Sequence, residues 1–554
     1  MGTLAVVPIF MSAGAAVLPA VVAAVTSVVA LAVRPRELLR LCRRRPAAVG
    51  VSLGVIALGV VAATWWRTSD TRAATSGRGE ARAAAHHDWA RVAEDIIARE
   101  RAAGVLTARA PAGLPTAAPG QATGAGQGGG GSPAGSVSLP SHGSAGGPLI
   151  LGRDASRCSY GTGPSPVRLS TFWRYVPEET MFLSGPLVAG NRVFAAGCQS
   201  DLGGYTGLLA CLDAETGKPI WEVTQKGDDV LRPFFSSPAL TQDGKYLVIG
   251  QGLHADRECS LLCFEAATGK LHWEVKTGLH IESSPAIHGD MAVVGAGAIE
   301  GRDGKATGDP GFVLAVRISD GRELWRQAVN DPESAPAIDE NGTVYIGSGF
   351  NGSAVVALRS EPEEQLRAGE LDRILWRTAV AHPVVSAIAL AGDLVIAGGG
   401  NSDAVHSNRN AQGMVVALDR KTGRIRWQTL FEDSVLGGSA CREDRLVCPV
   451  RTGEVAALSL KDGRVLWRAA ISSQAPVIAG CAFTGQRVYA VSSDGYLAVL
   501  DSRDGRVVER VYLNDQARPG TGLAMCLPQV CGGRVVAGSE TGGLHCLVGS
   551  EGNE

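Results

Sequence analysis

Two kinds of hydrophobic pattern divide this chain. Residues 4–33 and 48–66 are apolar runs without a charged residue, whereas from about residue 165 onward short segments alternate apolar with polar positions or are rich in β-branched residues. Uncharged runs of this length can cross a bilayer as helices, and the alternation is typical of half-buried strands. The pattern therefore predicts a transmembrane helical hairpin, residues 1–66, followed by a large β domain.

The segment between the two apolar runs sets the predicted orientation. Residues 34–45, RPRELLRLCRRR, contain six arginines, and short loops rich in arginine stay in the cytoplasm. Both outer ends of the hairpin then face away from the cytoplasm. The predicted localisation is the inner (plasma) membrane, with the β domain on the periplasmic or extracytoplasmic side.

Two further segments separate the predicted hairpin from the β domain. Residues 67–109 form a juxtamembrane segment in which 88–103, DWARVAEDIIARERAA, is predicted to be a short amphipathic helix. Residues 110–164 are rich in Gly, Pro, Ala and Ser. Such a composition buries too little apolar surface to order itself, so this segment is predicted to be a flexible linker.

The β domain, residues 165–554, is built from a repeat. The stretch CLDAETGKPIWEV at 211–223 returns as CFEAATGKLHWEV at 263–275, and its tryptophan recurs at intervals of 40–52 residues. Periods of this size are typical of propeller blades, each a four-stranded antiparallel sheet. Eight units can be aligned, but the last one ends before its outer strand. The sequence therefore predicts an all-β, eight-bladed β-propeller closed by the Trp-bearing strand 167–176.

The repeated Gly and Trp are predicted to be structural. The Gly lies in a two-strand connection that requires positive φ, and the Trp four residues later can cover the gap to the neighbouring blade. The seventh unit carries Glu509 where Trp is expected. The structural positions are Trp173, Gly217, Trp221, Gly269, Trp273, Gly321, Trp325, Trp376, Gly423, Trp427, Gly463 and Trp467.

Composition narrows the function classes. A formal charge of −2 gives no general attraction to nucleic acid, and no nucleophile elbow, zincin, kinase or phosphate-loop motif occurs. Four of the twelve cysteines (Cys211, Cys263, Cys448 and Cys546) align with alanines of other units, which predicts buried small side chains. The remaining cysteines can form one or two disulfides in an oxidising compartment, with a pairing that the sequence does not determine.

Loop length points to one face of the propeller. The loop between the second and third strands is long in units one, two, three and five, and variation of this kind usually accompanies binding. We call this end of the propeller the long-loop face and predict that it binds a protein or peptide partner. A metal site is conceivable there, but no ligand spacing is of a recognised kind. The candidate residues are His254, Asp256, Arg257, Glu300, Arg302, Asp303, Asn401, Asp403, His406, Asn408 and Asn410.

The motif small–x–acidic–x–x–Thr/Asp–Gly–x–x–x–Trp resembles the repeat of the PQQ-like (pyrroloquinoline quinone) propellers over about residues 165–554. That family has a quinoprotein dehydrogenase branch, which holds PQQ and calcium, and a cofactor-free branch of BamB-like scaffolds. This chain lacks the adjacent cysteines expected of the first branch, and units of 40–52 residues leave little room for its insertions. Cys42 lies in a basic context that does not fit the lipobox expected of the second branch.

The resemblance implies a non-catalytic, membrane-anchored protein-interaction scaffold at the bacterial cell envelope, without a cofactor. The alternative is a PQQ-dependent oxidoreductase of the alcohol or sugar dehydrogenase type, with calcium. A carbohydrate-binding or sensing module is a third possibility, for which no residue gives positive support.

Overall fold

Every described segment of regular structure is a β-strand. The computed structural model describes residues 159, 161, 163–201, 204–253, 256–298, 309–350, 352–361 and 373–551. In these ranges no helix is long and apolar enough to cross a membrane. The predicted spans 4–33 and 48–66 and the predicted helix 88–103 lie outside the described residues, as does most of the predicted linker.

The described chain forms an eight-bladed propeller, which confirms the predicted all-β fold. From the innermost to the outermost strand, the first blade is β3 (Leu187–Ala189), β4 (Arg192–Asp201), β5 (Gly204–Asp213) and β6 (Pro219–Val223), with β2 (Thr180–Met181) added along β4. The second is β9 (Ala239–Leu240), β10 (Tyr246–Gly250), β11 (Ser260–Glu265) and β12 (Leu271–Lys276). The third is β13 (Ala286–His288), β14 (Met291–Ala296), β15 (Phe312–Arg317) and β16 (Glu323–Ala328). The fourth is β17 (Ala337–Ile338), β18 (Val344–Ser348), β19 (Ala354–Leu358) and β20 (Ile374–Ala379).

The remaining blades follow the same order. The fifth is β21 (Ala389–Ala391), β22 (Leu394–Gly400), β23 (Gly413–Asp419) and β24 (Ile425–Phe431). The sixth is β25 (Ala440–Arg442), β26 (Arg445–Val450), β27 (Glu454–Ser459) and β28 (Val465–Ala470). The seventh is β29 (Ala482–Thr484), β30 (Arg487–Val491), β31 (Tyr496–Asp501) and β32 (Val507–Tyr512). A two-stranded hairpin, β7 (Gln225–Lys226) and β8 (Asp229–Val230), lies in the link between the first two blades.

The eighth blade joins the two ends of the propeller domain. Its strands are β33 (Gln529–Cys531), β34 (Arg534–Gly538), β35 (Leu544–Glu551) and, outermost, β1 (Pro166–Tyr175). β1 pairs antiparallel with β35, with Trp173 opposite Cys546 and Tyr175 opposite Leu544. The strand predicted to close the ring thus lies in the last blade, and this pairing removes the open edge that a broken ring would expose.

The core lies between the blades. The middle strands are covered on both faces, so that every residue of β14 and β19 is buried, whereas the outermost β20 alternates between half-buried and exposed positions. Strands buried on both faces read as continuous apolar runs. This explains why the middle strands carry segments such as AVVAL and MAVVGA.

The repeated Trp and Gly meet across each blade boundary. Seven tryptophans on outermost strands donate the indole Nε1–H to a backbone carbonyl of the next blade over 2.6–3.1 Å. Six of these rings lie against a turn glycine of that blade, and the six glycines have φ of 67–76°. A Cβ at any of them would approach the ring to 2.5–2.7 Å. The contact between neighbouring blades therefore requires both the tryptophan and the glycine.

The boundary between the seventh and eighth blades lacks this contact for a structural reason. The third and fourth strands of the eighth blade come from opposite ends of the domain, so no turn glycine joins them. At this boundary Glu509 Oε1 accepts a hydrogen bond from the Leu169 N–H of β1 over 2.8 Å. The Glu509 carboxylate thus binds β1 to the seventh blade. A tryptophan at this position would have no turn glycine in the eighth blade to pack against.

The ten cysteines in the described ranges are free thiols, and all but Cys531 are buried. They include the four that align with alanines. Burial raises the pKa of Cys211 to about 11 and the pKa values of Cys448 and Cys546 to about 12. These thiols are packing residues with little thiolate character.

Candidate functional site

The connections of the propeller define two faces. In each blade the loop between the second and third strands lies at the same end as the link to the next blade, and the other two turns lie at the opposite end. The second-to-third loop spans 401–412 in the fifth blade but only 451–453 in the sixth. The built-up end corresponds to the long-loop face.

The first blade builds this face with strands rather than with a loop. The stretch GCQSDLGGYTG looks like a variable loop, but β4 and β5 remain paired through Asp201 and Gly204. β2 adds to this hairpin by pairing Thr180 with Gln199 and Met181 with Cys198. The first blade therefore presents a long, stiffened hairpin.

The fifth-blade loop is held together by its own polar groups. Asp403 Oδ1 accepts the N–H groups of Val405 and His406 over 2.7 and 2.5 Å, and the Asn401 side chain bonds Gln412 N and Asn410 O. Asn408 Nδ2 donates to Asn401 O over 3.3 Å. Asn401, Asp403 and Asn408 therefore shape the loop, and they leave the exposed side chains of His406 and Asn410 on its surface.

A buried ion pair fixes the base of this loop. Arg451 Nη1 lies 3.5 Å from Asp433 Oδ2, and both side chains are 9% exposed. Arg451 Nε also donates to Asp403 O over 2.8 Å, and Ser407 Oγ donates to Asp433 Oδ2 over 2.8 Å. The loop is thus a pre-formed projection, as expected of a surface that binds without a large ordering cost.

The other candidate residues belong to the second and third repeats of the sequence. Asp256 accepts the Leu253 N–H over 2.9 Å and lies 3.9 Å from Arg232 Nη1, while Arg257 is exposed. His254, Glu300, Arg302 and Asp303 lie outside the described residues. Among the described residues no group of three or more His, Cys, Asp or Glu could hold a metal ion.

The structure also reveals a ring of side chains at the mouth of the central channel. In every blade the residue four positions before the innermost strand lines one cavity of about 210 Å³. Six of the eight are apolar, and the two acidic members come from the neighbouring third and fourth blades. The ring is Leu183, Phe235, Glu282, Glu333, Val385, Leu436, Ile478 and Met525.

The residues that follow each ring member in the sequence show how the ring is supported. Two positions before the innermost strand, small residues such as Ser237, Ser284 and Gly480 line the same cavity in the first seven blades, and Leu527 does so in the eighth. In the fourth blade the residue between these two positions does not line the cavity: Ser334 Oγ accepts the Gly347 N–H of β18 over 2.7 Å. Cys526 replaces that serine in the eighth blade, and its sulfur accepts the Gly538 N–H over 3.0 Å.

The two acidic ring members make the channel mouth electrostatically favourable for cations. Glu333 is buried, and its Oε1 lies 3.0 Å from Nε2 of the fully buried His280. Glu282 is half-buried on the adjacent blade. Two carboxylates within an otherwise apolar ring favour a cation that approaches along the channel. Sequence analysis missed this ring, although aligning the position before each innermost strand would have shown it.

Comparison with known proteins assigns the family. The sequence model of the family described as "Outer membrane protein assembly factor BamB" matches residues 170–410 and 411–554. The chain belongs to the BamB family. This confirms the predicted resemblance to PQQ-like propellers on the BamB side.

Individual members are distant from this BamB-family chain. The outer membrane protein assembly factor BamB of Xanthomonas campestris is 24% identical in an alignment 326 residues long that covers 51% of this chain and 73% of that protein. The BamB of Yersinia pestis is 25% identical in an alignment 322 residues long that covers 51% of this chain and 75% of that protein. Among solved structures, the quinohemoprotein alcohol dehydrogenase of Comamonas testosteroni has a TM-score of 0.54 at 13% identity, covering 73% of this chain and 81% of that one. That likeness concerns the fold.

The channel of this BamB-family chain does not suit PQQ. PQQ is a tricarboxylate, and carboxylates are held by Arg and Lys through charge-assisted hydrogen bonds. The described residues that line the channel include Glu282 and Glu333 and no Lys or Arg. The described cysteines are single free thiols and form no vicinal disulfide against which a quinone could stack.

Proposed function

We propose that this protein is a non-catalytic interaction scaffold of the cell envelope, which binds a protein of outer-membrane assembly through its long-loop face. The observation that carries the proposal is the pre-formed loop 401–412, which is braced by the Arg451–Asp433 ion pair and lies on the same face as the stiffened hairpin of the first blade. The names of its relatives support the pathway. The predicted membrane hairpin would anchor the scaffold in the inner membrane with the propeller in the periplasm.

Site-specific photo-crosslinking tests the proposed face. A photoactivatable residue at His406 or Asn410 in the full chain is expected to crosslink an outer-membrane assembly protein at least about tenfold more strongly than one at Lys421, since interfaces exclude the opposite end of the molecule. Lys421 is also exposed, but it lies in the turn after β23, on the opposite face. Crosslinks that are as strong from Lys421, or partners foreign to outer-membrane assembly, would contradict the proposal.

We propose further that the scaffold acts without a cofactor. Titration of PQQ with calcium into the full-length protein is expected to show no saturable binding up to roughly 100 µM, because the described lining of the channel offers no Lys or Arg to the PQQ carboxylates and no group of three acidic residues to calcium. Calorimetry and absorbance spectroscopy measure the binding of PQQ. One-to-one binding would instead favour the quinoprotein oxidoreductase.

A further inference from the structure

The eighth blade contains a buried histidine that contacts the seventh blade. His545 lies on β35 and is 4% exposed. Its Nε2 lies 2.7 Å from the carbonyl oxygen of Leu513, the residue that follows β32. A carbonyl oxygen can only accept, so Nε2 carries the proton of the neutral imidazole. In the part of the chain that the structure describes, Nδ1 is buried and has no hydrogen-bond partner. One bond thus holds the ring in one tautomer.

The surroundings of this imidazole suit its neutral form. A Cβ at Gly542 would lie 3.0 Å from His545 Nε2 and 1.8 Å from Leu513 O, so backbone encloses the ring on this side. Arg174 of β1 stands directly opposite His545 in the antiparallel pair, and directly opposite residues project from the same face of a sheet. An imidazolium would therefore bury an Nδ1–H without an acceptor on the face that carries a guanidinium, and burying a charge in this way is costly.

The other charged and titratable side chains on the elements around His545 each hold another partner. They are Glu509 with Leu169 N, Arg510 with Ala470 O, Tyr512 with Pro519 O, Asp515 with Ala517 N, Arg534 with Glu215, and Glu540 with the N–H groups of Thr521, Gly522 and Leu523. Burial, and to a smaller extent the charge of Arg174, lower the pKa of His545 from 6.5 to about 4. His545 is therefore neutral in the closed blade at neutral pH.

This histidine lies at the boundary where the ring closes. The other seven boundaries each carry a tryptophan that donates its indole N–H to the next blade. Here the seventh blade instead meets β35 and β1, which come from opposite ends of the domain. The bonds described across this boundary include that of Glu509 to Leu169 N and that of His545 to Leu513 O. Protonation of His545 would therefore act on the boundary that lacks the tryptophan contact.

We propose that His545 makes closure of the ring sensitive to pH. When the imidazole is protonated, β1 and the eighth blade separate from the seventh blade, while the seven tryptophan boundaries stay closed. The sign follows from linkage. In an opened blade the imidazole meets water and regains its ordinary pKa, so below about pH 6.5 opening takes up a proton that the closed blade accepts only near pH 4. The closed ring is thus fully stable above pH 6.5 and loses stability as the pH falls towards 4.

Amide hydrogen exchange of the full-length protein at two pH values tests this proposal. Each exchange rate is divided by the intrinsic rate at the same pH, which gives the protection of each strand against opening. From pH 7.5 to pH 5.0 we expect the protection of β1 to fall at least about tenfold, because a pKa that moves from 6.5 to about 4 allows a fall of up to about 30-fold. The protection of β16, the outermost strand of the third blade, should change less than about twofold.

Two matched variants assign the effect to His545. His545→Gln keeps an N–H that can donate to Leu513 O but cannot titrate, so the protection of β1 should agree at the two pH values within about twofold. In His272→Gln the tenfold fall should remain, because His272 Nε2 also bonds a carbonyl of the next blade, Ser319 O at 3.0 Å, but is exposed. An unchanged β1 at pH 5.0, an equal loss of protection in every blade, or a tenfold fall that persists in His545→Gln would each overturn the proposal.

Discussion

Replacing Trp273 with alanine is expected to lower the free energy of unfolding of the propeller by about 3–5 kcal/mol, the usual cost of truncating a buried Trp. The indole is 9% exposed. Its Nε1–H donates to Ile318 O over 2.6 Å, and its ring lies against Gly321 of the next blade. Denaturant unfolding followed by circular dichroism measures the loss. The control is Leu430→Ala, because Leu430 is 65% exposed on an outer strand and should cost less than about 0.5 kcal/mol.

A double-mutant cycle separates the inter-blade contact from the loss of a large side chain. Gly321 has φ +73°, and a Cβ there would lie 2.7 Å from Trp273 Cγ. In the unaltered protein, Gly321→Ala should therefore lower the free energy of unfolding by two contributions, the strain of an alanine with positive φ and the cost of displacing the Trp273 ring. In the Trp273→Ala background it should cost only the strain, about 1–2 kcal/mol. Strict additivity of the two substitutions would show that the ring and the glycine are not coupled.

The blades were predictable because each contact between blades needs one tryptophan and one glycine, so that a repeat carries the glycine of one contact four residues before the tryptophan of the next. The glycine must adopt positive φ and leave room for an indole from the preceding blade, so both positions recur wherever a turn joins the third and fourth strands. Glu509 is the informative exception. It falls at the boundary whose turn is missing, and the gap in the repeat therefore coincides with the point of ring closure.

The candidate site was less predictable because its parts are distant in the sequence. Each member of the channel ring is a single residue in a different repeat, and only the closed ring brings Glu282 and Glu333 beside Ser159. The hairpin of the first blade was read as a loop because its pairing partner β2 is two residues long and precedes the blade. On the loop 401–412, composition identified polar residues but could not show that Asp403 bonds its own backbone.

Closure of the ring by β1 should contribute more to stability than a single tryptophan contact between blades. Leu169 and Trp173 point into the interior from β1, whereas Ser170 and Thr171 are exposed on the same strand. Leu169→Asp with Trp173→Asp is expected to cost about 5–10 kcal/mol, since truncating the two side chains costs 2–5 and 3–5 kcal/mol and buried carboxylates add a desolvation penalty. β1 should then detach and leave β35 as an open edge.

Trypsin provides the measurement, because Arg168 and Arg174 lie within β1 and are cleaved only when the strand leaves the blade. We expect rapid cleavage at both arginines in the full-length double variant and none in the unaltered protein under the same conditions. Ser170→Asp with Thr171→Asp introduces the same two charges at exposed positions of this strand and should remain resistant. If both pairs resist cleavage, Leu169 and Trp173 are not what holds β1 in the eighth blade. The backbone pairing of β1 with β35 would then be enough to keep the ring closed.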